Sequence, residues 1–308
     1  MKWTPVAPPR TPVLFVNPRS GGGRAVRAGV VERAREGGVA VVVLEPGQRL
    51  QALVDEAIAG GADALGVAGG DGSQSLVAAS AQAHGLPFVC VPAGTRDHFA
   101  LDLGLDRRDP VGALDAFTEG LEGRIDVAEV NGRTFLNNVS LGIYGEAVQR
   151  AAYRDAKVRT LLAVARARLR PTAEAPGIRL VDDLGREHVH PAVVLVSNGP
   201  YALERQPAPG ARPALDSGRL GVIVLDAPDE GPHPPGRAWT ATSLEVSGPG
   251  SVPAGIDGEA VEVTPPLTFA IRPRALRVRI SARKAAGPVF VPGATRVLAK
   301  HVQGRGRP

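Results

Sequence analysis

Ala68-Gly69-Gly70-Asp71-Gly72-Ser73 decides how this chain is read. It follows the apolar run Ala64-Leu65-Gly66-Val67 and opens a helix-like stretch. Glycine lets backbone N–H groups turn toward an incoming phosphate with no Cβ in the way. The helix start behind it adds its positive dipole end. Asp71, a carboxylate where phosphates would come, makes chemical sense if it acts through a metal or orients a donor. The stretch is neither a Walker loop nor a dinucleotide turn, because no Gly-Lys-Ser/Thr follows and the glycine spacing differs.

Outward from this loop, apolar runs at 13–16, 39–44, 64–68 and 87–91 alternate with helix-like stretches at 24–36, 48–59 and 73–83. Continuous apolar strands separated by helices predict a parallel sheet covered on both faces. Ligands of such sheets bind at the carboxyl ends of the strands. The turns 17–23, 69–73 and 92–99 all fall on that edge. From about Arg124 the runs become short and turn-bounded, at 125–131, 134–140, 178–181, 192–197, 220–225, 242–247, 261–264, 268–271 and 276–280. They predict an antiparallel β domain, interrupted by one helical stretch at about 145–170. That stretch carries Arg150, Arg154, Lys157, Arg159, Arg166, Arg168 and Arg170 beside Leu161, Leu162, Val164 and Leu169. It reads equally as a solvated helix with a core stripe or as a basic amphipathic surface for an anionic bilayer.

The 308 residues suffice for two domains, and 44% hydrophobic residues mark a globular chain. Only 4% are aromatic, which argues against base-stacking platforms for single-stranded nucleic acid. A net charge of +5 suits an anionic membrane surface, a nucleotide or a nucleic acid without choosing among them. The one cysteine, Cys90, sits in an apolar run and reads as a small core residue in a reduced, cytoplasmic setting. Residues 1–12 contain no signal-like apolar stretch, and no run is long enough to span a bilayer. His188 and His190 share a strand face, read as solvated rather than metal-binding for want of a third ligand.

Four segments together resemble the diacylglycerol kinase catalytic-domain family, which includes bacterial soluble lipid kinases and sphingosine kinases. They are Asn17-Pro18-Arg19-Ser20-Gly21-Gly22-Gly23, Gly69-Gly70-Asp71-Gly72-Ser73, Pro92-Ala93-Gly94-Thr95 with Phe99-Ala100 and Leu103-Gly104, and Asp257-Gly258-Glu259. The resemblance implies a doubly wound N-terminal α/β domain of the NAD kinase and phosphofructokinase type, and a C-terminal antiparallel β-sandwich-like domain. Residues 1–123 with 283–308 would form the nucleotide-binding α/β domain, and 124–282 the β-rich lipid or substrate domain.

The implied activity is ATP-dependent transfer of the γ-phosphate to a lipid hydroxyl, with ATP and Mg²⁺ as cofactors. Asp257 would be the general base, Glu259 its acidic partner and Asp71 the acid of the Mg²⁺ network. Asn17, Ser20, Gly21, Gly22, Gly69, Gly70, Gly72, Ser73, Gly94, Thr95, Asp97 and His98 would contact nucleotide. Asp71 and Asp126 would join the metal network, and Asp216 a separate structural metal site. The implied partner is a lipid at a membrane surface, with peripheral contact at its inner face and no nucleic acid; a homodimer is compatible.

Asp97-His98 stands where the family's usual loop has Asn-Asp, which displaces a carboxylate by one position and adds an imidazole. Asp-Gly at 257–258 is also a common hairpin dipeptide. A kinase of a soluble alcohol or nucleotide, and an inactive nucleotide-binding regulator, are the alternatives.

Overall fold

A computed structural model describes residues 1–142, 177–189, 191–202, 212–226 and 236–285. The expected basic helix at 145–170, His190 and most of the segment 283–308 lie outside these residues. The strands β1 (Thr4–Val6), β2 (Pro12–Val16), β3 (Ala40–Val43), β4 (Ala64–Gly69) and β5 (Phe88–Pro92) come first. Between them run α1 (Arg24–Arg27), α2 (Val30–Glu36), α3 (Leu50–Ala59) and α4 (Asp71–Ala83), with α5 (His98–Asp102) after β5. The single helix expected at 24–36 is broken, because Gly29 takes φ 69°, a left-handed angle that ends the first turn.

β2, β3, β4 and β5 are parallel, in the spatial order β3-β2-β4-β5. Apolar side chains leave both faces. Phe15, Leu65, Val67 and Cys90 enter one core, which includes Val54 of α3 and Val77 of α4. Leu14, Val16, Ala68 and Val91 enter another, with Ala25, Val30 and Val31. This two-sided burial is why the runs show no polar alternation.

β6 (Gly120–Val130), β7 (Arg133–Phe135), β8 (Asn138–Gly142), β9 (Arg179–Asp182), β10 (Glu187–Val189), β11 (Pro191–Ser197) and β12 (Leu220–Asp226) follow. Then come β13 (Gly236–Ala241), β14 (Ser243–Ser247), β15 (Val252–Ile256), β16 (Glu259–Val263) and β17 (Leu267–Ser281). One antiparallel sheet runs β13-β12-β11-β8-β15-β16. Phe269 and Leu244 of the first sheet share a core with Val139, Val194, Val222 and Ala254 of the second.

The 15-residue β17 joins the parts. Residues 267–270 pair with β14, residues 278–279 pair in parallel with β5, and β6 lies along most of its length. The runs expected at 268–271 and 276–280 are therefore one strand, bent where its register shifts between Arg272 and Leu276. Arg274 takes φ 52° at that bend. Residue 124, where the second domain was expected to begin, falls inside β6.

The run expected at 134–140 splits into β7 and β8. β1, β10, β13 and β15 had no apolar run to announce them; β15 contains Pro253 and Gly255, which depress strand propensity. His188 is half-buried and stacks on Trp239 with ring centroids 4.4 Å apart, so its face is not the solvated one expected. Among the described residues no helix is long and apolar enough to cross a membrane.

Candidate active site

The chain leaves β2 toward β3 on one side and returns to β4 on the other. The crevice between their carboxyl ends is where such sheets bind ligands. The loop after β2 forms a tight turn at Ser20–Gly22, and Gly21, Gly22 and Gly23 take φ of 54°, 67° and 87°. Asn17 Oδ1 accepts the Arg19 N–H at 3.1 Å, and Ser20 Oγ accepts the Gly70 N–H at 3.2 Å.

Three glycines from three loops meet here. A Cβ on Gly21 would lie 2.6 Å from the Ala93 carbonyl oxygen, and one on Gly94 would overlap the Gly70 Cα. Gly69 is closed off by Ser73, while Gly72 faces open space. The buried Gln74 ties α4 to the strand ends, donating to the carbonyls of Gly69 at 3.3 Å and Val91 at 3.2 Å. The result is a bare backbone surface at the start of a 13-residue helix, which is chemistry suited to phosphate.

Asp71 opens that helix. Its Oδ1 accepts from the Phe99 N–H at 3.4 Å and from Asn137 Nδ2 at 3.3 Å, and Oδ2 lies 3.6 Å from His98 Nδ1. Asp257 sits in the two-residue hairpin between β15 and β16, where Asp257 and Gly258 take φ 49° and 84°. Its Oδ2 accepts from the Leu136 N–H at 2.8 Å and from the Ser75 hydroxyl. Oδ1 accepts from Asn137 N–H at 2.7 Å and Asn138 N–H at 3.1 Å. Burial pushes the Asp257 carboxyl above its ordinary value, against the Ser75 and backbone hydrogen bonds; nearby Asp71 pushes the same way as burial.

Asn137 therefore touches both acids, its backbone holding Asp257 and its side chain holding Asp71. Asn137 was not singled out in the sequence, because nothing local marks a turn that receives a carboxylate from 120 residues away.

Asp97 does not take the place of the missing loop acid. It is fully buried with φ 53°, and its Oδ1 accepts the Gly94 N–H at 2.7 Å. Its Oδ2 pairs with Arg24 Nη1 at 3.0 Å and lies 4.0 Å from Arg107 Nε. The residue beside Asp71 is instead His98, half-exposed. Thr95 is exposed, and its carbonyl accepts from Arg107.

Burial raises the Asp97 carboxyl above the ordinary aspartate value, outweighing the Gly94 bond and both arginines. A carboxyl raised in the folded state supports folding below its unfolded pKa of about 3.9 and loses that support as pH rises through its folded value. Asp97→Asn keeps an acceptor for Gly94, tolerates the left-handed backbone and removes the buried charge. The variant should melt at a higher temperature than the parent at pH 7, and the gain should shrink on acidification. A lower melting temperature at pH 7 would show that the Arg24 pair outweighs burial.

Other expected residues are held by other partners. Asp126 is buried, and its oxygens accept the Gly218 N–H at 2.6 Å and the Arg274 N–H at 2.9 Å; it clamps the bend in β17. Asp216 Oδ2 pairs with the Met1 ammonium at 2.8 Å. Glu259 pairs with Arg133 at 2.8 Å on an exposed rim. Arg133, Thr134, Asp257 and Glu259 face Gly72, Ser75, Leu76 and Ala79 of α4 across a cavity of about 570 Å³. Those four α4 positions recur at helical spacing and form one face.

The described residues hold no group of three or more His, Cys, Asp or Glu that could chelate a metal. A Mg²⁺ carried by nucleotide phosphates needs only one or two carboxylates, and Asp71 supplies one. Among the described residues, Asp216 has no such donor set around it.

The resemblance noted in the sequence is borne out by comparison. Residues 11–130 match the family described as diacylglycerol kinase catalytic domain. A diacylglycerol kinase of Mycobacterium tuberculosis is 36% identical over 120 residues, covering 38% of this chain and 39% of that protein. The match thus spans about two fifths of that relative's length. A Pseudomonas aeruginosa protein named "probable lipid kinase YegS-like" is 28% identical over 291 residues, 88% of this chain and 94% of the relative. The crystal structure of a diacylglycerol kinase from Bacillus anthracis str. Sterne superposes with a TM-score of 0.63 at 17% identity. It covers 89% of this chain and 98% of that one, a likeness of fold.

Proposed function

We propose that this chain, which carries a diacylglycerol kinase catalytic domain over residues 11–130, transfers the γ-phosphate of ATP to the hydroxyl of a lipid. The observation that carries the proposal is the meeting of Asp71 and Asp257 on Asn137, at the junction of the glycine loops with the α4 cavity. The loops 17–23, 69–73 and 92–98 take the nucleotide. Residues 1–123 serve the nucleotide and 124–282 the acceptor, with β6 and β17 common to both. The tail 283–308 is assigned to the nucleotide side by family resemblance.

Mg²⁺ bound with the nucleotide would offset phosphate charge, and Asp71 would hold it. The acceptor alcohol enters the cavity beside Ser75. Asp257 takes its proton as the oxygen attacks the γ-phosphorus, the bond from that phosphorus to the β-phosphate oxygen breaks, and ADP leaves. Four donors already occupy the acceptor positions of the Asp257 carboxylate. Three belong to the backbone, so the Ser75 hydroxyl is the one an alcohol displaces.

The direct test is transfer from labelled ATP to a total lipid extract, with identification of the labelled product; no labelled lipid would count against the proposal. In the same assay Asp71→Asn should weaken the Mg²⁺-dependent part of ATP binding. Equal affinity of parent and variant, with and without Mg²⁺, would contradict the role of Asp71.

A further inference from the structure

Arg212 is buried and touches neither Asp71 nor Asp257, yet it fixes the ground beneath both. Its guanidinium donates from Nε to Asp102 Oδ2 at 2.8 Å, and Nη2 pairs with the same carboxylate. Its own backbone N–H donates to Asp102 Oδ1 at 3.1 Å. On the other side Nη1 reaches the carbonyls of Leu136, Asn137 and Asn198, the last at 2.8 Å, and Nη2 reaches Asn137 Oδ1 at 3.0 Å. The two peptide units whose Leu136 and Asn137 carbonyls face Arg212 carry the Asn137 and Asn138 N–H groups that donate to Asp257 Oδ1. Asp102 lies on α5, whose Phe99 N–H and His98 ring meet Asp71.

We propose that Arg212, braced by Asp102, is the positioning residue that holds the 136–138 turn in register with α5, so that Asp257 and Asp71 keep a fixed separation. The inference rests on the kinase function proposed above. The geometry argues against a generic core ion pair. Besides Asp102, its donors go to the turn that forms the carboxylate cradle. The Asn137 side chain has its oxygen held by Arg212, and this orients its amide nitrogen toward Asp71. A planar fork with fixed donor directions does this; an ammonium does not.

The test uses the full chain with labelled ATP and vesicles of total bacterial lipid, in parent, Arg212→Lys and Asp102→Asn proteins. Arg212→Lys should lower kcat by roughly 10²-fold, the scale of a misplaced catalytic group, with KM for ATP unchanged. Asp102→Asn should move kcat in the same direction by less. In both, the amides of Leu136, Asn137 and Asn138 should exchange with solvent faster than in the parent while the strands of the parallel sheet keep their protection. Parent-level kcat in both variants would overturn the proposal. So would a fall in kcat with unchanged exchange at 136–138, or a change confined to KM. Should Arg212→Lys fail to fold, Asp102→Asn decides alone; failure of both would make Arg212 a scaffold residue and end the proposal. A parent that labels no lipid would sink the kinase function, whereas the exchange measurements would still report whether Arg212 holds the turn.

Discussion

Asp257→Asn should lower kcat for phosphate transfer by roughly 10²–10⁴-fold while ATP affinity stays near that of the parent. The proposed base is lost, and the glycine loops that would take the nucleotide are untouched. The substitution carries a second, separable cost. A carboxylate accepts on both oxygens, but an amide must turn its –NH2 toward either Leu136 N–H or the N–H groups of Asn137 and Asn138. Two donors then face each other in a half-buried site, at about 1–3 kcal/mol. Transfer at the parent rate would remove Asp257 from the chemistry. Low activity with full stability would show instead that the hairpin relaxes around the amide. Because burial raises the Asp257 carboxyl, the acid limb of the rate profile should lie above the ordinary aspartate range. The base must be ionised, so the rate falls as pH drops through that raised value.

Gly94→Ala should be nearly as damaging, by a different route. The added methyl would overlap the Gly70 Cα and lie 2.7 Å from Asp97 Oδ1, and neither neighbour is a flexible side-chain end that can swing away. Forcing these loops apart costs roughly 1–3 kcal/mol and widens the spacing of the glycine-loop backbone. ATP binding measured by calorimetry should weaken tenfold or more. Gly72→Ala is the control, since nothing lies within 4 Å of its added Cβ. That variant should keep the parent's melting temperature, so any loss of ATP affinity there would report a ligand lying against Gly72. Equal ATP affinity for Gly94→Ala and the parent would break the link between the three-glycine contact and the nucleotide.

The parallel sheet was legible because strands buried on both faces become continuous apolar runs, and Phe15 and Leu14 do feed opposite cores. β17 was legible only in halves, since Arg272-Pro273-Arg274 at its bend looks like a linker. The glycines around Asp71 marked the strand-to-helix turn that it occupies. At Asp257 the hairpin reading of Asp-Gly holds, and the turn brings the carboxylate to the N–H groups of residues 136–138. Asp126 shows the limit of motif transfer. Its neighbours in sequence say nothing of Gly218 and Arg274, whose N–H groups occupy it. Asn137, Ser75 and Arg212 stayed invisible because backbone donors and long-range partners leave no trace at fixed spacing.

The placement of β17 has a consequence for biosynthesis. One edge of β5 is paired by β4, and the other is covered only when residues 278–279 arrive. A ribosome adding about 5–20 residues per second needs roughly 10–40 s to travel from the end of β5 to the end of β17. Throughout that interval the nascent chain carries an open apolar strand edge, the kind of surface that chaperones cover and that neighbouring chains can capture.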